Sequence, residues 1–294
     1  MFSDFSAWQA QRYMRATGGL PAPSTQASKA ERLRGIARMM GCETAQSLGT
    51  LIDDRKAMLS LIDRMYARQA PGTVRTNLVA LRHFGEYAVA MGWAGSVAIE
   101  RTDGPAAVRQ RPITVYSAAE VELLATIARS RDLRFWAFLC TVADTGRRVG
   151  EVLGLEWEAL RLDSETPHFD LPHTKTKRQA YVPLTRRLTD EVFTPPNVAR
   201  LKSKGNPMLK RSVDTFPFPY TYQTVQIRLR VLCDVANVTH RGWHCFRHTG
   251  ATELLARGVP LHAVSSLLGH SAVSTTDRLY NHATTLDYAR YVDL

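Results

Sequence analysis

Thr145-Gly-Arg-Arg-Val-Gly-Glu151 and His244-Cys-Phe-Arg-His-Thr249 are the two stretches that decide how this chain reads. In the first, a glycine closes an apolar helical run and delivers an arginine to the start of the next helix. In the second, two histidines and an arginine fall at i, i+3 and i+4, one turn apart. Between them lies His173-Thr-Lys-Thr-Lys-Arg178, a lysine-bearing turn flanked by the short strand-like segments His168–Leu171 and 179–184. Downstream come Leu267-Leu-Gly-His270 and, ten residues after that histidine, Tyr280.

Taken singly, each cluster has an ordinary reading. An arginine at a helix start forms a surface ion pair, and a basic turn is simply solvated. His244 and His248 have the spacing of zinc ligands, but no glutamate follows the first and no acidic third ligand is near, so no metal is expected. Taken together, two arginines, a lysine, histidines and a tyrosine, without a carboxylate pair to hold magnesium, form a set suited to metal-free phosphoryl transfer. Arginine forks neutralise phosphate oxygens, acid–base groups move protons, and a hydroxyl attacks.

The rest of the chain agrees with a polyanionic substrate. Its 294 residues carry a net charge of +11, and 31 of the 38 cationic side chains are arginine. The excess is shared, +6 over residues 1–111 and +5 over 112–294. Residues 1–104 show helical periodicity and almost no strand signal, with helices expected at 5–17, 28–40, 48–67 and 73–91. In the last of these, Val74, Leu78, Leu81 and Ala88 line one face. Residues 105–116, with prolines and arginines and no apolar period, read as a basic interdomain linker. A capping box at Ser117-Ala-Ala-Glu120 opens a second domain, 117–294. Its helices are expected at 133–145, 149–160, 221–236, 248–257, 261–268 and 274–281, with a loop over 194–219. The fold class is therefore mainly α with a small β-sheet: an N-terminal helical domain and a C-terminal mixed α/β domain.

Four scattered cysteines, Cys42, Cys140, Cys233 and Cys245, lack any CxxC spacing and read as reduced core residues of a cytosolic protein, although Cys42 falls in a polar stretch and the others in apolar ones. No apolar run approaches the roughly 18 residues of a membrane span. The N-terminus lacks the apolar core of a signal peptide, which predicts a cytoplasmic protein with no membrane partner.

The order and spacing of these motifs resemble the tyrosine recombinase (phage integrase) family over most of 117–294. T-G-x-R-x-x-E falls on Thr145–Glu151, so the resemblance implies a catalytic Arg148 with Glu151 as its acidic companion; Arg147 occupies a place more often apolar in the family. H-x-x-R-H-T implies catalytic His244 and Arg247 with His248 in support, L-L-G-H implies His270, and S-T-T-x-x-x-Y implies Tyr280 as nucleophile. Lys175, with Lys177 as its rival, would protonate the leaving 5′ oxygen. Residues 73–88 are similar to the last helix of the family's core-binding domain, which implies that 1–104 grips DNA. Arg75, Arg82, Arg109, Arg111, Lys177 and Arg178 are candidates for DNA contact.

The implied function is site-specific DNA recombination and integration: cutting and rejoining through a 3′-phosphotyrosyl link, and strand exchange via a Holliday junction. One phosphodiester replaces another, so no cofactor is expected. The implied partners are double-stranded DNA bearing an inverted-repeat core site and, on that DNA, three further copies forming a tetramer from free monomers. A bacterial or phage-encoded protein working at the nucleoid is implied. The room ahead of the second domain suits one helical domain, so a short core site without distant arm sites is expected. The fourteen residues after Tyr280 are too few to form a core alone and must dock in cis or, as the family suggests, on a neighbour. Two other readings are a monomeric type IB topoisomerase and a DNA-binding regulator without catalysis.

Overall fold

The computed structural model describes residues 1–21, 23–105, 114–171, 180–203 and 211–268. The chain divides into two compact units, Met1–Arg111 and Pro112–Leu294. The described parts are mostly helical, with one small sheet.

In the first unit, α1 (Ser3–Thr17), α2 (Pro23–Met40), α3 (Ala45–Gly49), α4 (Arg55–Arg68) and α5 (Pro71–Ala90) surround a core of Leu33, Ile36, Leu61, Leu81 and Phe84. Pro71 starts α5 where its missing N–H is not needed, and Val74, Leu78, Leu81 and Ala88 are all buried on one stripe. Phe2, Phe5 and Tyr87 meet Phe84 with ring centroids 5.3–6.0 Å apart. The expected helix 48–67 is two helices. Asp54 accepts from the Ala57 N–H at 3.0 Å and so begins α4 anew. Gly49 ends α3 where a Cβ would lie 2.6 Å from the Trp93 ring, so close packing sets the break. Cys42 is buried, as a core cysteine should be, and its N–H turns back to the Ala37 carbonyl at 2.9 Å after α2 ends.

In the second unit, Ser117 and Glu120 make the expected capping box at α6 (Ala118–Arg131). Asp132 then caps α7 (Leu133–Thr145), accepting from the N–H groups of Arg134 and Phe135. α7 is the unit's central rod: Phe138, Leu139, Cys140 and Val142 are fully buried among Trp243, Phe246 and Phe218. It ends at Gly146 in the left-handed region (φ 59°), and α8 (Val149–Leu153) follows at once.

The apolar run 149–160 reads as one helix but stops at Leu153, because Gly154 follows and the chain enters a 3-10 turn, Trp157–Ala159. An unexpected two-residue strand, β1 (Leu160–Arg161), then pairs antiparallel with β2 (His168–Leu171), which pairs antiparallel with β3 (Ala180–Pro183). Phe169 opposite Val182 gives the sheet its buried face. Within the expected loop 194–219, Pro195 and Pro196 instead open α9 (Pro195–Lys202), the position where proline favours a helix. Then come α10 (Tyr222–Ala236), α11 (Trp243–Ala256) and α12 (Leu261–Leu268). α11 begins five residues earlier than the expected 248, because Gly242 (φ 82°) makes the entry turn. His244, Arg247 and His248 therefore share one helix. The expected helix 274–281 lies outside the described residues.

Candidate active site

Three chain segments build the site: the Gly146 turn with α8, the first two turns of α11, and the end of α12. Thr145 is buried and its hydroxyl donates to the Thr141 carbonyl at 2.6 Å, tying down the last turn of α7. Gly146 then reverses the chain so that two adjacent arginines leave in different directions. Arg147 is 3% exposed, while the Arg148 side chain is 46% exposed. Arg148 is the N-cap of α8, and Glu151 holds it twice. Oε1 accepts from Nη1 at 2.9 Å and Oε2 from the Arg148 backbone N–H at 3.2 Å. The carboxylate also sits in the first turn of α8, where the helix dipole favours it.

Arg247 approaches from α11. It is 5% exposed, and its Nη1 donates to the Gly146 carbonyl at 2.9 Å while Nη2 donates to the Leu268 carbonyl at 2.8 Å. One guanidinium thus joins the turn that carries Arg148 to the end of α12. Both acceptors are backbone carbonyls, which no side-chain motif announces. His244, one turn earlier on the same helix, is exposed. Partial burial lowers its imidazole pKa, and the positive charges of Arg247 and Arg148 lower it further. His248 is half-buried and is lowered by burial, then by His244 and Arg247. Near neutral pH both imidazoles are uncharged, able to accept or donate a proton at the mouth of a cationic cluster.

Thr249 fixes α11 against the start of the unit. Its hydroxyl accepts from the Tyr116 N–H at 3.0 Å and lies 3.0 Å from the Tyr116 carbonyl, and the Tyr116 ring stacks on Phe246 at 4.5 Å. Among the described residues no cluster of three or more His, Cys, Asp or Glu is placed to hold a metal ion.

The structure therefore brings Arg148, Glu151, His244, Arg247 and His248 together. Lys175, Lys177, Arg178, His270, Tyr280, Arg109 and Arg111 lie outside the described residues. In the first unit, Arg75 donates to the Pro105 carbonyl at 3.0 Å and Arg82 to the Glu100 carbonyl at 2.8 Å. Both thus bind the segment after α5. A basic groove between α2 and α5 was not marked by any motif: it is lined by Thr25, Ser28, Lys29, Arg32 and Thr76. Arg32 donates to Asn77 Oδ1 at 3.2 Å, and Lys29 Nζ lies 3.4 Å from His83 Nδ1. Burial lowers the pKa of Lys29, and burial followed by the Lys29 charge lowers that of His83.

Comparison with known proteins agrees with this architecture. The sequence model of the phage integrase family matches residues 115–286. Tyrosine recombinase XerC of Bacillus pumilus is 35% identical over 147 residues, covering 48% of this chain and 46% of that protein. Tyrosine recombinase XerD of Lacticaseibacillus casei is 27% identical over 267 residues, covering 85% and 89%. The chain thus spans about half the length of that XerC and of the XerC-like recombinase of Caldanaerobacter subterraneus, and most of that XerD. Among solved structures, the Tn1549 transposon integrase (residues 82–397 in its own numbering) in complex with circular intermediate DNA superposes with a TM-score of 0.66. It is 16% identical over 99% of this chain and 98% of that one, a likeness of fold.

Proposed function

The chain belongs to the phage integrase family, and from that premise we propose that it is a site-specific tyrosine recombinase that cuts and rejoins duplex DNA. One observation carries the reading: Arg247 is buried and bonded to the Gly146 carbonyl, so the turn bearing Arg148 and the helix bearing His244 are one rigid construction. Two guanidinium groups and a neutral imidazole converge there. That is a receptor for a phosphodiester, with fixed positive charge where negative charge grows in the transition state.

The chemistry assigned to it is transesterification. The Tyr280 oxygen bonds to phosphorus, and the bond from phosphorus to the 5′ oxygen breaks. Lys175 gives the leaving oxygen its proton, and the 3′ phosphate stays on the tyrosine. Generating phenolate at neutral pH costs about 4 kcal/mol for a phenol of ordinary pKa near 10. Arg148 and Arg247 offset this by stabilising the pentavalent phosphorus, with His244 and His270 positioning the phosphate and assisting proton movement. A 5′ hydroxyl from a second duplex then reverses the step, so bond energy is conserved and no cofactor is required.

In the same reading, residues 1–104 form a core-binding domain joined by the basic linker 105–116 to a catalytic domain over 117–294. The lysine- and arginine-lined groove between α2 and α5 suits a phosphate backbone. The partners are double-stranded DNA with an inverted-repeat core site and a tetramer that passes through a Holliday junction. No described helix is long and apolar enough to cross a membrane. The test uses two duplexes of different length, each carrying an inverted-repeat core site selected from the DNA that flanks the gene. Joined products of hybrid length are expected. Relaxation of supercoiled DNA without hybrid products would favour topoisomerase action, and binding without any cleavage would leave only a regulator.

A further inference from the structure

Arg147 stands where local physics favours an apolar side chain. It precedes the cap of α8, the position from which a hydrophobic residue packs onto the fourth residue of the helix, here Val152. It is 3% exposed and lines a small cavity with Thr141, Thr145, Glu151, Val152 and Phe169. Among the described residues its Nε and Nη1 have no hydrogen-bond acceptor. A guanidinium buried in this way is costly unless something compensates. Among the described residues the one acid in the lining of that cavity is Glu151. Both Glu151 oxygens, however, are engaged by Arg148. Burial lowers the basicity of Arg147, and the charge of Glu151 is the first influence opposing that shift.

Arg148 thus faces two claims. When its Nη1 turns to a phosphate, Glu151 Oε1 loses its side-chain donor, while Oε2 keeps the Arg148 backbone N–H. We propose that Arg147 is a positioning residue that takes over Glu151 Oε1 when Arg148 turns to the phosphate, through an N–H that has no acceptor among the described residues of the resting site. One carboxylate passes between two adjacent arginines, and it is paired at each stage. The inference rests on the assignment of Arg148 to the scissile phosphate.

The test is single-turnover cleavage of a nicked duplex carrying the inverted repeat, with DNA affinity measured in parallel. Arg147→Leu is expected to cleave about tenfold more slowly with unchanged affinity, and to melt at a higher temperature because an unpaired buried charge is gone. Arg147→Met serves as a second apolar variant should the shape of leucine disturb folding. The deciding arm is Glu151→Gln. Without a carboxylate there is nothing to hand over, so the double variant Arg147→Leu/Glu151→Gln should cleave within about threefold of Glu151→Gln alone. Independent, multiplied losses would overturn the proposal, as would full activity of both Arg147 variants. If instead Arg148→Lys cleaves like the unaltered protein, the parent assignment fails, and this inference with it.

Discussion

Arg247 and Arg148 carry the same charge in opposite settings, and their substitutions should separate accordingly. Arg247 is buried, and its fork satisfies two backbone carbonyls on different elements. A lysine there cannot bond both, and each carbonyl left unpaired costs about 1–3 kcal/mol. Arg247→Lys should lower the melting temperature by several degrees as well as abolish measurable cleavage. Arg148 is 46% exposed and, among the described residues, bonded only within its own turn, so Arg148→Lys should leave stability nearly unchanged while cleavage falls by orders of magnitude, since a point charge does not replace a planar fork. Near-normal cleavage by either variant would reduce that arginine to general DNA binding.

The histidines make a pH prediction at the same scale. His83, His244 and His248 all have lowered pKa values in the folded state. As pH falls through the ordinary histidine value near 6.5, the unfolded chain takes up protons that the folded one resists. Folding stability should therefore be complete above that value and decline below it, ahead of any carboxylate effect. Urea midpoints measured between pH 7.5 and pH 5 check the sign, and a midpoint that rises on acidification would contradict it.

Among the elements, the turn between α7 and α8 matters most. Gly146 has φ 59°, and a Cβ there would lie 3.0 Å from Leu268 Cδ2. Gly146→Ala is expected to cost about 1 kcal/mol or more in urea denaturation. It should also reduce cleavage, because the Gly146 carbonyl holds Arg247 and the next residues aim Arg148. Intact cleavage in a destabilised Gly146→Ala would show that the turn needs no such precision.

Much of this element level was legible in the sequence. The periodicity of α5 named four residues that are all buried, β2 has its expected limits, and the Ser117 capping box forms. What escaped has identifiable causes. Two residues are too few for β1 to show alternation. The paired prolines of α9 look like loop although they suit a helix start. The split at Asp54 turns on one cap within a continuous apolar pattern. In the site, His244, Arg247 and Arg148 were legible as types at fixed spacing. The carbonyls that anchor Arg247 were not, since every residue has one. The burial of Arg147 beside an exposed Arg148 depends on the left-handed turn, which sequence spacing alone does not orient.

At the scale of the whole molecule, each unit has its own core, and the positive charge is spread over both. A protein that clasps duplex DNA through many phosphates should lose about a hundredfold or more in affinity between about 50 and about 200 mM salt. A shallow salt dependence, read by anisotropy of a labelled duplex, would confine DNA contact to a few side chains. Chelator should leave cleavage unchanged, and a chelator-sensitive rate would revive zinc at His244 and His248.

The central claim is that Tyr280 becomes covalently joined to DNA at the arginine-lined site. It is tested most directly by trapping: a duplex with the inverted repeat and a nick just 3′ of the scissile phosphate lets the freed fragment diffuse away and strands the protein on the DNA. The unaltered protein should give a slowly migrating adduct on denaturing gels, with the modified peptide containing Tyr280. Tyr280→Phe should bind the same duplex with nearly unchanged affinity and give no adduct. An adduct formed by Tyr280→Phe, or one mapped to Tyr288 or Tyr291, would contradict the account.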